Sequence, residues 1–222
     1  MTGEPVRFYF DYVSPFAYVA SRRIQAVATQ LGRAVEPIAV LFAGLLNHFG
    51  HVGPAEIEPK RRWAFKQALR RAQKAGLPLE PPPQHPFNPL LPLRVTHAAA
   101  PDQRWPIIDA LFRAAWQTGA GVETAQQVRA ALAGLELDVD ALVSAAESPP
   151  VKAQLKTATE QAVAVGVFGV PTFVVDGELY WGDDNLDDLL AEQQGGGPIW
   201  DSRVERWLDI SASAKRAAAP RR

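Results

Sequence analysis

Residues 166–186 read GVFGVPTFVVDGELYWGDDNL, and few folds can hold that order of signals. Thr172–Asp176 (TFVVD) and Glu178–Trp181 (ELYW) carry β-branched and aromatic residues, and Gly177 between them supplies a turn. The pair reads as a hairpin. Pro171 stands directly before the first of these strands, a place where a residue without an N–H is tolerated. By itself it fits a trans proline opening an edge strand as well as a cis one. After the hairpin, DDNLDDLLAEQ reads as a helix with acids at its positive end.

The first forty residues hold the complementary half. Val6–Phe10 (VRFYF) is a short strand. Ser14 falls at an N-cap and Pro15 in the first helical turn, where its missing N–H costs nothing. Phe16, Val19, Ala20, Ile24, Val27, Ala28 and Leu31 recur at helical spacing as far as Gly32, predicting one continuous helix. Ala34–Leu41 (AVEPIAVL) is a second strand, and its Pro37 points to an edge or a bulge. The two ends of the chain therefore read β-α-β and β-β-α.

The middle is helical and broken by proline. KRRWAFKQALRRAQKAGL forms a helix that stops at Gly76. LPLEPPPQHPFNPLLPLR is too proline-dense for a regular helix or a central strand, so it is a loop. Alanine-rich helices are expected near 93–100, 104–118, 124–133, 138–147 and 150–165. Trp63, Trp105, Trp116 and Trp207 fall on helical stripes, which predicts core positions. The C-terminal PIWDSRVERWLDISASAKRAAAPRR holds one more helix and a basic tail. The expected division is a discontinuous α/β domain from 1–42 and 163–222, with a helical insertion from 43–162.

Composition narrows the chemistry. Hydrophobic residues make up 47% of 222, enough for a substantial core. The net charge of -1 provides no global field for nucleic acid, and no recognition motif accompanies it. With no cysteine there is no disulfide, no thiolate nucleophile and no cysteine-zinc site. His48 and His51 lie three apart without a third ligand, so no metal is expected. The G-x-S-x-G elbow and the G-x-G-x-x-G fingerprint are absent. No run has the length of a membrane span, and MTGEPVRFYFDY lacks the pattern of a signal peptide. A soluble cytoplasmic protein is the expectation.

Two segments of the middle invite a substrate role. Lys60, Arg61, Arg62, Lys66, Arg70, Arg71 and Lys74 crowd one helix. They read as a solvated face, or, for Arg62 and Lys66 one turn apart, as partners of a substrate carboxylate. His85 and Asn88 sit in the rigid proline-dense loop, a usual place for specificity residues. Trp181, at the end of the hairpin, is a further substrate-binding candidate.

Together, FDYVSPFAY (10–18), LFAGLL…GHVGP, HPFNPLLPLR and GVPTFVVDGELYWGDDNL resemble the 2-hydroxychromene-2-carboxylate isomerases and their kappa-class glutathione transferase relatives. These belong to the DsbA-like branch of the thioredoxin superfamily. The resemblance covers nearly the whole chain and is strongest at its ends. It implies an α/β fold: a thioredoxin-like domain of DsbA type with a large all-helical insertion. Redox members open the first helix with Cys-x-x-Cys. Here the stretch is Ser14-Pro15-Phe16-Ala17, so dithiol-disulfide exchange is chemically impossible for this chain.

What the resemblance implies instead is an external thiol, glutathione. The Ser14 hydroxyl would hold its sulfur beside Pro15 and Phe16, and the helix N-terminus would favour the thiolate. A plain N-cap remains the other reading of Ser14. The resemblance further implies a cis peptide at Val170–Pro171, with the Val170 backbone pairing to the ligand. Asp183 and Asp184 would meet the γ-glutamyl end, one of them doubling as an N-cap. His51 stands where relatives commonly have Asn, and Asn185 where they commonly have Arg. The implied activity is glutathione-dependent cis-trans isomerisation of 2-hydroxychromene-2-carboxylate to trans-o-hydroxybenzylidenepyruvate in aromatic catabolism. A small aromatic carboxylate would be the substrate and a homodimer the assembly. The alternatives are a kappa-type transferase or peroxidase on another electrophile, and a catalytically silent thioredoxin-like binding module.

Overall fold

The computed structural model describes residues 3–195 and 202–214. The basic tail anticipated at the C-terminus, residues 215–222, lies outside the described residues. Four strands form one mixed sheet: β1 Val6–Phe10, β2 Val35–Ala39, β3 Thr172–Val175 and β4 Glu178–Trp181. Their spatial order is β2-β1-β3-β4. β1 runs parallel to β2 and antiparallel to β3, and β3 pairs antiparallel with β4. Pro37 lies in β2, at the sheet edge, as a residue without an N–H requires.

Alternation along β1 sorts side chains between two faces. Phe8 and Phe10 enter one face, where Phe8 stacks on its cross-strand partner Phe173 with ring centroids 5.4 Å apart. Phe10 meets Phe112 of the helical middle at 5.5 Å. Each fully buried aromatic of this kind contributes on the order of 2–3 kcal/mol. Tyr9 and Val174 enter the opposite face with Leu45, Ala162 and Val167. The larger core runs without interruption from the sheet into the inserted helices, through Phe112, Trp116 and Leu93.

The N-terminal helix corrects the sequence reading. Instead of one helix there are two, α1 Pro15–Ser21 and α2 Ile24–Gln30. Ser21 Oγ donates to the Tyr18 carbonyl at 2.7 Å, a local bond that competes with the helical ladder. Beyond the break, Arg23 reaches across to Asp187 and the Asp183 carbonyl.

The middle contains α3 Phe42–Phe49, for which the periodicity gave no reading, and α4 Glu58–Lys74. It continues with α5 Leu90–Ala98, α6 Arg104–Phe112, α7 Ala125–Leu132, α8 Val139–Ala145 and α9 Pro149–Ala164. A π-helical turn over Arg113–Gln117 extends α6. Two helices follow the sheet, α10 Asn185–Gly195 and α11 Ser202–Leu208. No described helix is long and apolar enough to cross a membrane.

Trp116 is buried and Trp105 packs against the core, but Trp63 is 61% exposed and Trp207 67% exposed. Trp63 misses the core because the inward stripe of α4 is Phe65, Ala68 and Ala72, and residue 63 lies off it. The proline-dense stretch is an irregular loop over residues 77–89, but its last five residues, LLPLR, open α5, where Pro92 sits in the first turn and its missing N–H costs no ladder bond. The loop is tied down by Tyr18 O–H donating to the Pro78 carbonyl and by Glu80 N–H donating to the Trp116 carbonyl.

Candidate functional site

Register places the sequence-derived residues on one edge of the sheet. β1 and β3 pair Tyr9 with Thr172, and β3 and β4 pair Thr172 with Trp181. One step outward, Gly182 N–H donates to the Pro171 carbonyl at 2.9 Å. Continuing the same register sets Asp11 and Asp183 on either side of Val170. The end of β1, the start of β3 and the end of β4 therefore converge, and the mouth of α1 is tied to the end of β1 by Ser14 N–H donating to the Asp11 carbonyl.

Ser14 caps α1, and its Oγ accepts the Ala17 N–H at 3.2 Å. The cap reading is correct, and it leaves the hydroxyl proton without an acceptor among the described residues. Pro15 offers no N–H in this first turn, and Phe16 is half-buried beside it. The Val170–Pro171 peptide is cis. Among the described residues, no backbone hydrogen bond engages the Val170 N–H or C=O.

Beneath Ser14 lies a residue the sequence reading passed over. Asp11 is fully buried at the end of β1. Its two carboxylate oxygens accept Val13 N–H at 3.0 Å and Phe42 N–H at 2.9 Å, and its carbonyl accepts Ser14 N–H at 3.1 Å. Burial pushes this carboxyl up to about 7, despite the two N–H donors that favour its ionised form. The only hint in the sequence was a charged residue ending an apolar strand.

His85 comes to the same loop from the helical middle. Its Nε2 lies 3.0 Å from the Val13 carbonyl, which can only accept, so Nε2 carries the proton. Nδ1 is then bare, buried and without a partner. Phe65 and Trp116 hold the ring edge-on at 5.0 and 5.4 Å. Burial lowers the pKa of His85, so the ring is neutral at pH 7.

The γ-glutamyl candidates sit at the β4–α10 corner. Asp183 is 2% exposed, and burial pushes its carboxyl up to about 6, with the Arg71 cation opposing and Asp184 reinforcing. Arg71 Nη2 meets Asp184 at 2.7 Å and Nη1 meets Asp183 at 3.6 Å. The basic helix thus turns one cation inward, which its reading as a solvated face missed. The signal was present: Arg71 adjoins the stripe of Phe65, Ala68 and Ala72.

The remaining residues scatter. Arg62 is exposed and pairs with Glu58 on its own helix, and Lys66 is exposed. Arg61, one position round from Arg62, lies over the Phe65 ring that contacts His85. Asn88 is exposed, and its Oδ1 accepts Leu90 N–H at the start of α5. His51 is exposed just beyond α3, where its N–H donates to the Leu46 carbonyl. Trp181 is 52% exposed, edge-on to Phe168 at 5.0 Å, with its indole beside Gly169 just ahead of Val170. Among the described residues no group of three or more His, Asp or Glu side chains could hold a metal ion.

Residues 5–194 match the model of the DSBA-like thioredoxin domain family. A 2-hydroxychromene-2-carboxylate isomerase of Sphingobium xenophagum is 30% identical over 190 residues, covering 84% of this chain and 96% of that one. Glutathione S-transferase kappa 2 of Caenorhabditis elegans is 28% identical over 207 residues, covering 84% and 92%. A solved 2-hydroxychromene-2-carboxylate isomerase superposes with a TM-score of 0.76 at 25% identity, covering 93% of this chain and 99% of that one.

Proposed function

We propose, since the chain belongs to the DSBA-like thioredoxin domain family, among the 2-hydroxychromene-2-carboxylate isomerases and kappa-class glutathione transferases, that it is a glutathione-dependent isomerase of a small aromatic carboxylate. The substrate would be of the 2-hydroxychromene-2-carboxylate type. The observation that carries the reading is the Ser14 hydroxyl. It caps α1 with its oxygen and keeps its proton available at the same sheet edge as Val170 and Asp183.

The groups along that edge fit glutathione in kind. Ser14 O–H would donate to its sulfur. The Val170 backbone, without an internal partner, would pair with the peptide backbone of the cysteinyl residue. Asp183 and Asp184 would accept from the γ-glutamyl ammonium, and Arg71 between them offers a donor to its carboxylate. Pro15, Phe16 and Pro171 would wall the thiol from water. Bound glutathione would supply a thiolate that adds reversibly to the substrate's conjugated double bond, making it a rotatable single bond.

This chain's own part is to hold and orient. Asp11 fixes the backbone on both sides of the helix mouth, at Val13 and Phe42, so that the Ser14 hydroxyl stays in place. His85 braces the Val13 carbonyl and, staying neutral, adds no charge that would compete for the sulfur. No protein cysteine is required, in keeping with a chain that has none.

A kappa-type transferase or peroxidase on another electrophile is the second reading, favoured by the likeness to glutathione S-transferase kappa 2; His51 and Asn185, standing where relatives commonly have Asn and Arg, favour the catalytically silent module instead. Glutathione titrated calorimetrically into wild type and Ser14→Ala at pH 7 tests the shared thiol site. Saturable binding with altered proton release in the variant is expected. Absence of binding to either protein would leave Ser14 a cap and the chain a silent module. Chromene carboxylates assayed against generic electrophiles then separate isomerase from transferase.

A further inference from the structure

A cavity of about 560 Å³ opens between α3, α5 and α9. It shares no residue with the Ser14 edge. Leu41, Leu90 and Leu155 give it an apolar floor, and Arg94, Lys152 and Lys156 bring cations to it. Against these three, Glu160 is the one carboxylate in the lining. Its size lies within the range of small-molecule sites.

Arg94 is the informative member. Its side chain is 18% exposed, and its one carboxylate partner among the described residues is Glu147, at a long 3.4 Å. Its Nε–H is buried with no acceptor. Glu147 is shared, since it also holds Lys152 at 2.9 Å. A guanidinium kept mostly out of water with most of its donors unused is costly unless something accepts from it. Lys156 reaches Glu160 at 3.7 Å, both exposed, a pair too solvated to neutralise the rim. Thr159 gives the wall a fixed shape, accepting Leu41 N–H at 3.0 Å and donating to the Leu155 carbonyl at 2.8 Å.

We propose that this cavity is a second ligand site, for a small amphipathic monoanion, an aromatic or branched carboxylate. The apolar floor takes the hydrocarbon, and Arg94 takes the carboxylate through charge-assisted hydrogen bonds. The site goes beyond the glutathione reading and does not depend on it.

The probe is 2-naphthoate, with 2-naphthylmethanol as its neutral counterpart, followed by calorimetry and by NMR shift mapping on the intact protein. Saturable naphthoate binding is expected, with shifts centred on Leu90, Leu155 and Thr159. Arg94→Gln is expected to weaken it about tenfold or more. Lys152→Glu with Lys156→Glu, both exposed, is expected to weaken it in the same direction. The alcohol should bind less tightly, and neither Ser14→Ala nor saturating glutathione should alter naphthoate affinity. The proposal is overturned if naphthoate fails to bind, if the alcohol binds equally, or if both charge variants leave affinity unchanged. Competition by glutathione, or loss of binding in Ser14→Ala, would also overturn it, by placing the anion at the first site.

Discussion

Asp11 concentrates the residue-scale physics of this protein. A carboxylate without water, facing two backbone donors and no cation, keeps its proton far above the usual carboxylate range, at about 7. The sign of the consequence follows from linkage. Unfolded, the group ionises near pH 4; folded, it holds its proton up to about pH 7. The native state therefore binds more protons through that interval, and stability falls as pH rises from about 4 to about 7, then levels. The full span corresponds to about 4 kcal/mol. Asp183, raised to about 6, acts in the same direction over a narrower window. Urea unfolding of wild type and Asp11→Asn from pH 4 to 8 should show the variant weaker at pH 4 and the gap closing towards pH 8. Parallel curves would mean that Asp11 does not titrate in this range.

At the scale of elements, the β4–α10 corner depends on one backbone conformation. Gly182 has φ +103, and a Cβ there would lie 2.5 Å from Asp184 Oδ1. The turn aims Asp183 inward and Asp184 towards Arg71, so its shape and the charge arrangement are one feature. Gly182→Ala is expected to cost about 1–3 kcal/mol through strain. It should also weaken glutathione binding. Wild-type thermal stability and glutathione affinity in Gly182→Ala would show that the corner is tolerant and unrelated to ligand capture. The same corner shows how much was legible beforehand. Two short strands, a Gly turn and an acidic helix start could be read from local pattern, because each is a local preference. That Asp183 would be buried and Asp184 paired could not, because both depend on a helix more than a hundred residues away.

For the whole molecule, Arg71 joins the inserted helices to the α/β layer through the two aspartates. Arg71→Ala leaves the buried Asp183 without its nearest cation. Its titration, followed by carboxyl NMR, should move upward from about 6. The pair is partly solvated, so the expected stability loss is about 1–2 kcal/mol, or about 2–8 °C in Tm for a chain of this size. An unchanged Asp183 titration would show that Arg71 does not face it in solution. The continuous core argues the same coupling in apolar terms, since Phe10 packs on Phe112 and Trp116 Nε1 donates to the Tyr12 carbonyl at 2.8 Å.

The amino-acid order by itself determined the order of elements at the two ends of the fold, the loop over residues 77–89 and the Ser14 cap, while it left β2 either an edge or a bulge. These rest on backbone restrictions and short-range periodicity, which neighbours in sequence fully specify. Tertiary structure alone decided the rest. It split the first helix at Arg22–Arg23, because Ser21 bonds backward and the arginines reach partners more than eighty residues on. It left Trp63 outside and turned Arg71 towards Asp183 and Asp184, because which side of a charged helix faces the core depends on what packs against it. It dried Asp11 and His85, because desolvation is a property of the assembled surroundings and leaves no mark on the residues themselves.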